Sequence, residues 1–185
     1  VAAGLDSSAL GVFNRAEGPS SNAYGSLNVS SGQRSSAVGF LNTASGGQSS
    51  AHGHGNTASG FDSAAHGTSN LANAARSSAI GVFNTASGQE SSALGYRNTA
   101  TNLSSAALGV SNRADGARSS AVGVSNTAAG ESSVAAGSNN TAAAFGSTAV
   151  GRGNFIDGAA LALDRWRLRQ GLAPLQPAEH PYRPG

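Results

Sequence analysis

The sequence runs to 185 residues without one cysteine, methionine or lysine. Lacking cysteine, it can carry neither a disulfide scaffold nor a thiolate zinc site, and it suits an exported protein that avoids misoxidation. Lacking lysine, it draws all eleven cations from arginine. Residues 1–160 hold seven of these against seven Asp or Glu, so the net charge of +2 comes from residues 161–185. A neutral body with no basic cluster argues against nucleic acid as a partner. No apolar run is long enough for a membrane-spanning helix. Large apolar residues are scarce as well, since Leu, Ile, Val and Phe together number only 31. That is too few for a conventional core. Such a composition fits an unfolded low-complexity chain or a repetitive architecture that needs no large side chains. It does not fit a conventional enzyme domain. Beginning at Val1 and lacking Met, the chain reads as a piece of a longer protein, with any leader or anchor expected outside it.

What remains is repetition. Ala, Ser and Gly supply 92 residues, half the chain. Glycine recurs at every fourteenth position from Gly11 to Gly151, with Ala two residues before it and Ser four before it in all eleven copies. Three residues after each glycine stands an asparagine: Asn14, Asn28, Asn42, Asn56, Asn70, Asn84, Asn98, Asn112, Asn126, Asn140 and Asn154. The unit S-x-A-φ-G-x-x-N-x-A-x-G-x-x, where φ is apolar, contains no insertion and divides into two similar halves of seven. A seven-residue period suggests a coiled coil. Nearly every heptad, however, holds a Gly, which costs about 1 kcal/mol against Ala inside a helix. The reading is therefore an all-β parallel solenoid of eleven 14-residue coils over residues 7–160. Residues 1–6 form a lead-in, and residues 161–185 a cap, linker or tail. Each coil lays down two short strands, with glycine permitting the positive-φ or close-approach turns between them. At about 4.8 Å per coil the rod is about 50 Å long.

Strand alternation assigns faces. Ser7, Ala9 and Gly11 and their equivalents should point inward, where only small groups fit. The asparagine column, at a corner, can stack its amides into a hydrogen-bonded ladder. The column headed by Leu10 points outward yet is largely aliphatic: Leu10, Val38, Ile80, Leu94, Leu108, Val122 and Val150, with Tyr24, His52, His66 and Ala136 between them. An exposed aliphatic stripe on a chain this poor in bulk predicts an oligomer interface. On the second strand the outward column is mostly polar, carrying Thr43, Thr57, Thr85, Thr99, Thr127 and Thr141, and it is the expected contact face.

The repeat resembles the head repeat of trimeric autotransporter adhesins, the YadA-like head. Ser35-Ser36-Ala37-Val38-Gly39 and Ser77-Ser78-Ala79-Ile80-Gly81 are similar to that family's S-V-A-I-G core, and the resemblance covers about 154 of 185 residues. It implies three parallel chains, each a left-handed parallel β-roll, displayed on the outer membrane of a Gram-negative bacterium. It also implies attachment to host extracellular matrix proteins or cells, without catalysis or cofactor. Membrane contact would run only through a C-terminal anchor outside this chain. Two departures stand out. Residues 161–185 show neither the neck motif nor the heptads of a stalk. Leu161 to Leu172 can instead form a short amphipathic helix, ahead of four prolines between Pro174 and Pro184. The second departure is the pair His52 and His66 in an otherwise aliphatic column.

Chemistry is thinly represented. The Ser–His–Asp arrangement of a hydrolase needs a third partner and an oxyanion hole, whereas eleven of the serines form a structural column. His52, His54 and His66, multiplied across an oligomer, are a weak candidate ion layer; a hydrated polar layer that sets register is the plainer expectation. Calcium β-rolls need a carboxylate in each turn where this repeat has neutral Asn, and no G-K-[ST] accompanies the glycines to bind phosphate. Two other functions fit a regular rod. One is ice binding by the threonine column, which Arg15, Leu71, Arg113 and Phe155 interrupt. The other is a passive spacer projecting a binding tip.

Overall fold

The computed structural model describes residues 1–158 and the backbone of 161–163. Strands are numbered along the chain from β1 (Ser8–Val12) to β23 (Leu161–Leu163). Each of the eleven coils gives one five-residue and one two-residue strand, as with β1 and β2 (Arg15–Ala16), then β3 (Asn22–Ser26) and β4 (Val29–Ser30). The long strands form one sheet of twelve and the short strands a second sheet of eleven, every pair parallel. Register advances by fourteen residues per rung, as in Ile80↔Leu94↔Leu108. Parallel neighbours need a crossover connection. Here the opposite sheet's strand supplies it, which is why the coil can be so short.

Between the sheets lies a core that among the described residues comprises nineteen buried alanines and Ile156, with the Asn and Ser columns as its polar members. Among the described residues, fully buried positions hold nothing larger than asparagine. The reason is spatial. Seven residues to a side bring the sheets close enough for a methyl group and little more, and close packing forbids either a void or an extra methylene.

Two expectations about glycine are corrected. Every seventh residue from Asp6 to Gly153 adopts the left-handed conformation, nineteen of them non-glycine with φ between 52° and 60°. Phe13, Leu27, Arg34 and Phe83 thus make turns that glycine was expected to make. Left-handed backbone costs an L-residue about 1–2 kcal/mol. The corner offsets this by hydrogen bonding to the coil before it, Leu27 N–H donating to Val12 O at 2.9 Å and Arg34 N–H to Pro19 O at 2.8 Å. Among the described residues glycine takes that corner only at Gly55, Gly146 and Gly153; its two recurring columns serve the close approach that was the other expectation. The Gly95 column does not fill the core beside Ala93; with φ near +118°, a Cβ on Gly95 would meet Gly109 O at 2.1 Å. At the other corner a Cβ on Gly46 would meet Gly60 O at 1.9 Å. Where that column holds Ala74, Asn102 or Ala144, the residue is no longer buried as Gly46, Gly60, Gly88 and Gly116 are.

The boundary at residue 160 also shifts. Leu161–Leu163 is a twelfth rung rather than the start of a helix, pairing Thr148↔Leu161 and Val150↔Leu163 with a thirteen-residue advance. The rest of the 161–185 segment lies outside the described residues.

Candidate functional site

The site is built on the outer surface, since the interior is closed by alanine and by the asparagine ladder. Asn84 shows the ladder's construction. Its Nδ2 donates to Asn70 Oδ1 at 3.0 Å, to Ile80 O at 2.9 Å and to Gly95 O at 2.7 Å. Its Oδ1 accepts from the Asn98 backbone N–H at 3.0 Å and from Asn98 Nδ2 at 3.1 Å. The same pattern runs from Asn14 to Asn154. Each amide ties its own coil to the coils on both sides, and it holds the long-strand sheet in register beneath its outer face.

That outer face gathers all seven aliphatic residues of the Leu10 column on one side of the rod. Leu10, Ile80, Val122 and Val150 are exposed, and Val38, Leu94 and Leu108 half-buried. The sequence reading missed the breadth of this surface. Two residues further along the strand, Val12, Phe40, Tyr96, Val110 and Val124 are exposed on the same face. At the adjoining corner stand Phe13, Leu27, Leu41 and Phe83, with Phe13 78% exposed. Strand alternation would have revealed the first group. The second needed the left-handed corner, which turns those side chains outward.

His52 and His66 lie together within this face, their rings stacked with centroids 4.8 Å apart and planes 4° from parallel. His66 Nε2 is 2.8 Å from Ser50 Oγ, and His52 Nε2 is 3.3 Å from Ser36 Oγ. Burial, then the neighbouring His66, hold the His52 imidazole below its ordinary pKa of 6.5. His54 does not join them; it stacks on Phe40 at 5.4 Å. Among the described residues, no carboxylate hydrogen-bonds either stacked imidazole, and no group of three or more His, Cys, Asp or Glu is placed to hold a metal ion. The Ser–His contacts therefore lack a third member to orient the ring.

The short-strand face carries the threonine column in register, Thr43 beside Thr57, Thr85 beside Thr99 and Thr127 beside Thr141, all half-buried. Leu71, Arg113 and Phe155 break the column. Arg15 pairs with Glu17 and Arg113 with Asp115 on this side, while Arg76–Glu90 at 2.8 Å and Arg118–Glu131 link successive coils. Exposed pairs of this kind contribute at most about 1 kcal/mol each, so they shape the surface more than they stabilise the roll.

A family model of the YadA head domain repeat, two copies long, matches residues 30–56, 58–84, 86–112, 100–126, 114–140 and 128–154. No curated protein matches the chain. The matched segments cover most of the coils whose Ser, Ala, Gly and Asn columns close the core and set the register. The chain belongs to the YadA head repeat family, the heads of trimeric autotransporter adhesins.

Proposed function

We propose that this chain is a bacterial adhesin head that works as a parallel homotrimer and attaches to host extracellular matrix or host cells. The family carries an adhesin-type role at the bacterial cell surface and is generally non-enzymatic. One observation supports self-association most directly, while the number three rests on the family. An alanine-filled roll presents a largely apolar outer face along its length, from Leu10 through Leu94 and Leu108 to Val150, interrupted by His52 and His66. Burying a large aliphatic side chain stabilises by about 1.5–3 kcal/mol, and copies of the same rod offer a matching face at every rung. The threonine face then points outward. Weak contacts to Thr43, Thr57, Thr85, Thr99, Thr127 and Thr141, repeated over coils and chains, sum by avidity.

Sedimentation of the whole chain followed by a binding panel of immobilised matrix proteins and host cells tests the proposal. A trimer that binds at least one surface, and loses binding when Thr85 and Thr99 are changed to Glu with assembly intact, is the expected result. A trimer that binds nothing makes the segment a spacer. The broken threonine column argues against ice binding, and a thermal hysteresis measurement on the same sample should read zero.

A further inference from the structure

Assembly and adhesion as described make no use of the two histidines in the apolar face. His52 belongs to β7 (Ser50–His54) and His66 to β9 (Ala64–Thr68), adjacent long strands in register. They occupy a column filled elsewhere by Leu, Val, Ile, Tyr and Ala. The strands on either side, β5 (Ser36–Phe40) and β11 (Ser78–Val82), contain no charged residue. Behind them, β6 (Thr43–Ala44), β8 (Thr57–Ala58) and β10 (Leu71–Ala72) contain none either. Across all these elements the one other titratable group is His54, stacked on Phe40. A proton on either ring of the stacked pair therefore meets no carboxylate, and a second proton must sit on a parallel ring 4.8 Å away. The serine hydroxyls of Ser36 and Ser50 can hydrogen-bond an imidazole in either state but cannot neutralise it.

We propose that the stacked pair His52 and His66 is a proton-sensing layer in the assembly face: neutral, it packs flat between protomers, and protonated, it loosens the assembly. The inference rests on the homotrimer reading above. Its sign follows from linkage. The separated chains bind protons more readily than the assembly, so the assembly is fully stable above about pH 6.5 and weakens as pH falls below that value. Burial and the neighbouring His66 already lower the His52 pKa within one protomer, so the onset lies below the ordinary 6.5.

The test is sedimentation of the full chain at about pH 7.5 and about pH 5, a range in which unperturbed histidine changes charge. Alongside it runs the double variant His52→Val, His66→Ile, which restores residues typical of the column. The wild-type dissociation constant should rise by about tenfold or more at the lower pH, because each trimer carries three copies of the pair and every proton held more weakly in the assembly multiplies the effect. The double variant should change by less than about twofold, and His54→Gln should respond like wild type. A wild-type trimer equally tight at both pH values overturns the sensor and leaves the trimer standing. Equal loosening in the double variant, or loss of the response in His54→Gln alone, also overturns the assignment. A wild-type chain monomeric at both pH values overturns the trimer reading and the sensor with it.

Discussion

The asparagine ladder makes a quantitative commitment, and Asn84, near the middle of the rod, exposes it best. Asn84→Ala removes the side chain that donates to Asn70 Oδ1, Ile80 O and Gly95 O and that accepts from Asn98. Two amide hydrogens are lost as donors, at about 1 kcal/mol net each, and the buried Asn98 N–H is left without its acceptor, at about 1–3 kcal/mol. The expected loss is about 3–5 kcal/mol, or about 6–20 °C in melting temperature for a chain of this size. Asn84→Asp should be worse at neutral pH although it is nearly isosteric. Its second carboxylate oxygen replaces Nδ2 and faces three acceptors in a position with no exposure to water. Burial among acceptors raises such a carboxyl's pKa in the folded state. The unfolded chain then ionises first, so the variant loses stability as pH rises through about 4 and regains part of it in acid. Thermal unfolding by circular dichroism at fixed protein concentration decides the matter. If Asn84→Asp melts at or above Asn84→Ala at neutral pH, the ladder does not carry the load assigned to it.

Other perturbations separate the roles of individual columns. Ala93→Leu inserts three carbons where no space exists beside a fully buried methyl; it should prevent folding or cost more than about 3 kcal/mol, read by denaturant titration. Gly95→Ala combines positive φ with a backbone clash, whereas Gly46→Ala has the clash alone, in a column that already accommodates Ala74 and Ala144. The first should therefore melt lower than the second, and the reverse order would refute the division of labour between the two glycine columns. Ile80→Asp and Leu94→Asp place a charge in the apolar face and should break assembly in sedimentation, while Thr85→Ser on the opposite sheet changes stability by less than about 0.5 kcal/mol. Retention of the oligomer by both Asp variants would refute the interface.

Much of this protein was written in its spacing. Four filled columns at a period of fourteen imply one coil per repeat, and alternation within Ser78–Val82 puts Ala79 inside and Ile80 outside. These features are local, fixed by the length of a turn and the two-residue period of a strand. The threonine column and the aliphatic stripe were legible for the same reason. Three things were not. Leu27, Arg34 and Phe83 carry no local preference for the left-handed turn they adopt; the adjacent coil imposes it by taking the corner N–H into a hydrogen bond. The glycines looked like turn residues, but the carbonyl that excludes a Cβ from Gly95 belongs to Gly109, a full coil away. The histidines were visible as a pair at the repeat spacing, yet only stacked strands bring His52 and His66 ring to ring and send His54 to Phe40. The amino-acid pattern by itself thus determined the coil and its faces. The contact of each coil with the next decided the turns, the close approaches and the chemistry of the surface, because those interactions join residues fourteen or fifteen apart that meet only when the rod is built.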